Sequence, residues 1–243
     1  MKLSVITIVL NDKEGLERTF KSVRNQSSTE FEFIVIDGGS TDGTLNLIKY
    51  NIDIITKFIS EKDSGISDAF NKGINNSLGC YSLMMNSGDI FHSDDSVSKL
   101  LLSGVLQDGN DIVCGSIISN AADGVVVPEI ITNYELIPHQ GAFIGKNVYR
   151  TLGVYSVGFV IRMDLEFFLR AKKNNIKIIS VKQIISKYSA GGKSNYIGNR
   201  SLFYREAIAA YILHGYNFRL SNLIRFIFWT FYLWISKKSK RTL

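Results

Sequence analysis

The stretch 83–89, Leu-Met-Met-Asn-Ser-Gly-Asp, has the residue types of a place where a metal ion meets a phosphate. An apolar strand over 81–85 runs into a short polar turn ending on the carboxylate of Asp89. Gly88 lets the backbone pass close to a ligand there. Magnesium and manganese prefer oxygen donors and typically take one or two protein carboxylates plus the substrate's phosphate oxygens. Asp89 is therefore a candidate metal ligand, and a plain turn is the competing reading. Other acids stand in comparable places. Asp37 opens the run Asp-Gly-Gly-Ser-Thr-Asp-Gly-Thr, and Asp63 lies in Glu-Lys-Asp-Ser-Gly at 61–65. Asp164 precedes Leu165, Phe168 and Leu169, whose spacing is helical. A carboxylate in that first turn is stabilised by the helix dipole; facing a crevice, it is also a candidate general base. Residues 190–194, Ala-Gly-Gly-Lys-Ser, read as a flexible turn. Lys193 there is either a lid over a diphosphate or part of a simple glycine turn.

The elements that must position these groups alternate. Residues 3–10 form a continuous apolar, β-branched run, as expected of a strand buried on both faces. A helix follows with Leu16, Phe20 and Val23 on one stripe. Strands are expected over 31–36, 54–59 and 81–85. Between them lie a helix after 44, capped by Asp42 or Ser40, and one over 66–75 with Ile66, Phe70 and Ile74 on one face. This order predicts an α/β chain: a mostly parallel sheet with helices on both sides. Ligands of such sheets bind outside the carboxyl ends of the strands. Asp37, the 61–65 turn and Asp89 all fall at those ends. Further on, a helix is expected over 94–106 and strands over 111–118, 125–127, 176–181 and 184–188. Gly-x-Gly-x-x-Gly and Gly-x-x-x-x-Gly-Lys-Ser/Thr are both absent, which argues against a dehydrogenase and a P-loop ATPase. A metal is the natural substitute for holding phosphate.

The chain of 243 residues is 45% hydrophobic and 21% charged, ordinary for a globular protein. Its net charge of +6 belongs mainly to one end: Lys237, Lys238, Lys240 and Arg241 lie in the last seven positions. Without them 24 basic residues face 22 acidic ones, which argues against a nucleic-acid-binding face. Cys80 and Cys114 lie in apolar runs and read as buried free thiols. Residues 1–10 carry one lysine and no small-residue cleavage site, so they read as a first strand and not a signal peptide. The catalytic part is expected in the cytoplasm.

Two helices close the chain, over 194–214 and 220–235. The second contains the ten-residue run Phe-Ile-Phe-Trp-Thr-Phe-Tyr-Leu-Trp-Ile at 226–235. A spanning helix needs about 20 apolar residues, so this one is too short. Trp229, Tyr232 and Trp234 followed by Lys237 and Lys238 suit a helix lying in the headgroup layer of an anionic leaflet. A terminal helix packed on the domain or in a homodimer is the alternative.

Four segments, Ser-Val-Ile-Thr-Ile-Val-Leu-Asn at 4–11, 36–44, 60–73 and Asn-Ser-Gly-Asp at 86–89, resemble the family 2 glycosyltransferases. The resemblance is nearest to the bacterial subgroup that builds colanic acid, capsule and O-antigen, and runs in order from residue 3 to about 195. It implies the GT-A type nucleotide-diphospho-sugar transferase fold over 1–193; the residues of 194–243 add a helical membrane-associating or oligomerising segment. It also implies a nucleotide-sugar donor, Mn2+ or Mg2+, inversion at the anomeric carbon and a lipid-linked saccharide acceptor. Carried over, Asp37 meets the base or ribose, and Asp63 and Asp68 line the donor pocket. Thr7, Asn11, Gly38, Lys72, Asn86, Ser87, His139 and Lys193 complete the expected donor contacts. Asp89 matches the second acid of the Asp-x-Asp metal motif, and Ser87 stands where the first would be. Asp164 matches the catalytic base, and Glu166 is read as structural.

Two rivals stand beside this reading. The missing first acid suits a nucleotide-sugar-binding subunit without catalysis. A nucleotidyltransferase shares the sheet order but would need a basic Gly-rich loop after the first strand, and Asn11-Asp12-Lys13-Glu14 is not one.

Overall fold

The computed structural model describes residues 1–119, 137–188 and 196–239. The expected strand at 125–127, the 190–194 turn with Lys193, and residues 240–243 lie outside them.

One eight-stranded sheet organises the chain, in the order β3-β2-β1-β4-β7-β6-β8-β5. Strands β1 (Leu3–Val9), β2 (Phe31–Asp37), β3 (Lys57–Ser60) and β4 (Tyr81–Asn86) run parallel. Their carboxyl ends therefore share one edge, which places Asp37, Ser60 and Asn86 together. Strand β7 (Ala142–Gly145) pairs antiparallel with β4, with Leu83 opposite Phe143. Its entrance, the 3₁₀ turn His139–Gly141, is thus delivered to the same edge. Strand β6 (Ile112–Ser119) is antiparallel to β7, and β8 (Ile178–Tyr188) is parallel to β6. The two-residue β5 (Ile90–Phe91) closes the far side against β8.

Alternation along each strand divides the apolar side chains between two cores. Leu3, Val5 and Val9 join Leu16, Phe20 and Val23 of helix α1 (Lys13–Arg24) and Val97 and Leu100 of α4 (Ser96–Leu102). Ile6 and Ile8 face the other way, toward Phe70 and Ile74 of α3 (Ile66–Asn75), Val148 of α5 (Lys146–Leu152), and Phe167 and Phe168 of α6 (Met163–Lys173). Helix α2 (Thr44–Tyr50) follows β2, and its N-cap position is Gly43 at φ 95°. Asp42 still serves that end from one residue outside, accepting the Thr44 N–H at 3.0 Å and the Thr44 hydroxyl at 2.6 Å.

Several expected boundaries shift. The strand expected over 54–59 is a 3₁₀ turn, Ile52–Ile54, followed by the short β3. The helix expected over 94–106 is the seven-residue α4. The two strands expected over 176–188 are one, β8, with register shifts against β6 between Cys114 and Ile117. Helices α7 (Arg200–His214) and α8 (Leu220–Ser239) form the C-terminal pair. Leu165 and Leu169 of α6 pack on Ala207 and Ala210 of α7. Cys80 and Cys114 are free thiols, and Cys114 is buried.

Gly73 lets α3 approach the sheet: a Cβ there would stand 2.3 Å from Cγ2 of Ile6. Replacing a helical glycine gains about 0.5–1 kcal/mol, whereas overpacking costs about 1–3 kcal/mol. The clash wins. Gly73→Ala is expected to melt below the wild type in thermal unfolding.

Candidate active site

The carboxyl edge carries a series of polar contacts linked through neighbouring residues, starting at β2. Asp37 has no exposed surface. Its carboxylate accepts the Ser40 N–H at 3.1 and 3.2 Å and the Ser60 hydroxyl at 2.7 Å, holding the glycine turn against β3. The Ser40 hydroxyl accepts the Asn11 N–H at 2.8 Å, and Asn11 Oδ1 accepts the Thr41 N–H at 2.8 Å. These bonds hold Asn11 in the left-handed region at φ 51°, a conformation Asn tolerates better than most residues. The Asp63 side chain reaches into the space beside Gly38, where a Cβ would meet its Oδ2 at 2.3 Å. Asp63 is therefore brought against the Asp37 turn, while its Oδ1 accepts the Gly65 N–H at 3.0 Å.

The 61–64 turn is strapped from α3. Lys72 Nζ lies 2.9 Å from Glu61 and 3.7 Å from Asp68, and donates to the Lys62 carbonyl at 3.0 Å. Asp68 accepts the Ser64 N–H at 2.9 Å. That backbone bond first, and the Lys72 charge further, hold its carboxyl below the usual carboxylate range against the cost of burial. Asp68 and Lys72 thus shape the edge of the site. Thr7 is not brought to this edge: it lies fully buried within β1, paired with Val35 and Met85.

From β1 the chain of contacts crosses to β4. The Ser87 hydroxyl donates to Oδ2 of Asp12 at 2.5 Å, and the Ser87 N–H donates to the Ile8 carbonyl at 3.0 Å. Asp12 also caps α1, accepting the Gly15 N–H at 3.0 Å. So a carboxylate does stand beside position 87, supplied through space. Asp89 is 2% exposed, and its Oδ2 accepts the Asn86 N–H at 2.8 Å. Gly88 at φ 91° makes the turn, and its N–H donates to the Thr19 hydroxyl at 3.0 Å.

Asn86 carries the contacts to the last acid. Its Nδ2 lies 3.1 Å from Nε2 of His139, and Nδ1 of His139 lies 3.6 Å from Oδ2 of Asp164. With Asn86 donating, Nε2 accepts and the Nδ1–H faces Asp164, a tautomer assigned from this network. At 3.6 Å the second contact is electrostatic, longer than a formed hydrogen bond. Aromatic rings prop the imidazole: Phe70 stands edge-on to it at 5.7 Å, and Tyr155 backs Phe70 at 5.7 Å. Burial pushes the Asp164 carboxyl up. The His139 imidazole and the Arg162 guanidinium outweigh that and leave it below the usual range. Among the described residues no group of three or more His, Cys, Asp and Glu could hold a metal by itself.

A model of glycosyl transferase family 2 matches residues 4–165. The chain belongs to glycosyltransferase family 2. An uncharacterized glycosyltransferase of Mycobacterium tuberculosis is 34% identical over 178 residues, covering 70% of this chain and 68% of the relative. A PGL/p-HBAD biosynthesis glycosyltransferase of Mycobacterium bovis is 25% identical over 211 residues, covering 83% and 82%. Among solved structures, S. aureus TarS in complex with UDP-GlcNAc matches with a TM-score of 0.69 at 17% identity, covering 93% of this chain and 72% of that one. The mannosyltransferase PcManGT from Pyrobaculum calidifontis, in complex with GDP-Man and Mn2+, matches at 0.69 and 12%, covering 96% and 69%. These likenesses speak for the fold, a GT-A-like mixed sheet flanked by helices.

Three residues of this family member's site carried no sequence signal: Asp12, Arg162 and Phe203, whose ring lies 4.4 Å under the Arg162 guanidinium. Without the His139 N–H facing it, less opposes the burial of Asp164, so its carboxyl rises. Turnover that needs the ionised form is then lost at higher pH than in the wild type. His139→Ala is expected to move the acid limb of the pH–rate profile upward, measured as turnover from pH 4 to 8.

Proposed function

We propose that this family 2 member is an inverting, divalent-metal-assisted glycosyltransferase using a nucleotide-sugar donor. Its acceptor is a lipid-linked saccharide at the cytoplasmic face of the inner membrane, in surface polysaccharide assembly of the colanic acid, capsule or O-antigen type. The observation that carries this reading is the polar chain from Asp37 through Asn11, Asp12, Ser87, Asn86 and His139 to Asp164. It lines the carboxyl edge of the sheet with acids at both ends. Relatives of the same fold support the donor class, being complexed with UDP-GlcNAc in one case and GDP-Man with Mn2+ in another.

Asp37 and Asp63 shape the nucleoside end, with Asn11 and Gly38 between them, and Asp68 and Lys72 hold its rim. Lys193, outside the described residues, belongs to the diphosphate. The donor set near Asp89 suits magnesium or manganese. The amide oxygen of Asn86 is buried without a hydrogen-bond partner, and it and the Asp89 carboxylate are oxygen donors of the kind these ions prefer. Asp89 and Asn86 would hold the ion, with donor phosphate oxygens filling the remaining positions. Bound there, a divalent cation supplies positive charge against the departing nucleoside diphosphate. Asp164, kept ionised by His139 and Arg162, takes the proton of the acceptor hydroxyl as that oxygen attacks the far face of the sugar.

The C-terminal segment 194–243 supports the acceptor assignment. Helix α8 leaves Ile224, Ile227, Phe228, Phe231, Trp234 and Ile235 exposed, and the sequence ends in four basic residues among its last seven. No helix among the described residues is long and apolar enough to cross a membrane. An interfacial position on an anionic leaflet suits this combination. A homodimer built on the same face is the alternative occupant.

A proton-accepting group typically contributes about 10²- to 10⁴-fold. Asp164→Asn is expected to lose turnover on that scale while keeping affinity for the nucleoside diphosphate; wild-type turnover in this variant would overturn the base assignment, and a wild-type protein that binds donor and metal without turnover would leave a binding subunit as the better reading. Deleting 220–243 is expected to abolish sedimentation with vesicles containing anionic lipid. Persistent co-sedimentation, or a loss of dimer mass with no change in vesicle binding, would remove the membrane assignment.

A further inference from the structure

The proposed base sits at the start of α6, directly after a turn that has no cap of its own. Arg162, in the N-cap position, makes no side-chain capping bond. The turn is instead held from a helix some 40 residues further along the chain. Glu206 on α7 is 5% exposed. Its Oε1 accepts the Val160 N–H at 2.9 Å, and its Oε2 accepts the N–H groups of Ile161 and Arg162, both at 2.9 Å. Three consecutive amides thus converge on one buried carboxylate at the positive end of α6. Charge-assisted bonds of this kind offset the cost of burying the acid.

A second tether ties the same two helices. Glu166 is paired with His214 at the end of α7 and with Arg170, both at 2.9 Å. It fixes how α6 lies. Its carboxylate binds Arg170 and His214 and not the amides of 160–162, which hand the chain into the helix. From the other side the Phe159 carbonyl is held by the Ser67 hydroxyl at 2.8 Å. Glu206 therefore determines where the turn releases Asp164, two residues beyond the last amide it binds.

We propose that Glu206 is a positioning residue for glycosyl transfer: through the amides of 160–162 it sets the distance of Asp164 from His139. The assignment rests on Asp164 being the base. It makes α7 part of the reaction machinery and separates it in role from α8. Misplacing a reacting group by about 1 Å costs on the order of 10²-fold in rate. A carboxylate that merely glued α7 to the domain would change melting and leave the chemistry alone.

The test uses the full chain with Glu206→Gln and Glu206→Ala, assayed well below their melting temperatures. Glutamine keeps one acceptor oxygen and loses the other, so it should retain part of the restraint. We expect kcat to fall about tenfold in Glu206→Gln and about 10²-fold in Glu206→Ala. The donor KM and the affinity for the nucleoside diphosphate should stay within about twofold. Amide exchange over 158–164 should quicken in parallel. Where the alanine variant fails to fold, the glutamine variant decides. A kcat per folded molecule within about twofold of wild type, or a donor KM that rises as much as kcat falls, overturns the proposal. A wrong base assignment shows separately, as wild-type turnover in Asp164→Asn with no Glu206 variant involved, and the proposal falls with it.

Discussion

Asp164 keeps its charge because His139 and Arg162 stand beside it, against the penalty of its own burial. That balance depends on every layer of the fold. His139 reaches the site only because β7 runs antiparallel to β4, which turns the entrance of β7 toward the carboxyl edge. Its ring is propped edge-on by Phe70, behind which Tyr155 and Phe167 follow in one aromatic layer. Its tautomer follows from Asn86, at the end of β4. A carboxylate so placed needs no large shift to act at neutral pH. It needs only to remain ionised and aimed.

The other acids of the edge each hold more than one element. Asp12 caps α1 and receives the Ser87 hydroxyl. Asp37 closes its own glycine turn and binds Ser60 on the neighbouring strand. Backbone N–H groups are the commonest partners, and they hold a carboxylate in place without neutralising it as a lysine or arginine would. The edge therefore stays negative while each acid is satisfied, which suits it to a cation brought in with a diphosphate.

Much of this was legible in the residues. Buried runs such as 3–10 and 31–36 declared their strands, and the stripes Leu16–Phe20–Val23 and Phe70–Ile74 declared the helices on either face. The acids at strand ends followed from that order. What stayed hidden has physical causes. Helix α5 is seven residues long and buries only Val148 and Tyr149, too little to show a period. The Asp12–Ser87 bond joins positions 75 residues apart, and no local pattern reports it. Glu206 reads in sequence as a polar residue on a helix, and only the packed α6–α7 pair reveals its three amide partners. Thr7 is expected among the donor contacts because it belongs to a recognisable segment, yet it lies inside a strand buried on both faces.

The two-sided packing of β1 has a consequence for how such a molecule changes over time. Leu3, Val5 and Val9 answer to α1, while Ile6 and Ile8 answer to α3 and the aromatic layer under His139. Neighbouring codons of a single strand thus report to separate compartments. Drift beneath the helix that follows the first strand can proceed without disturbing the ring stack on the opposite side. A change at Leu3, Val5 or Val9 loads one layer of packing, and a change at Ile6 or Ile8 loads the other.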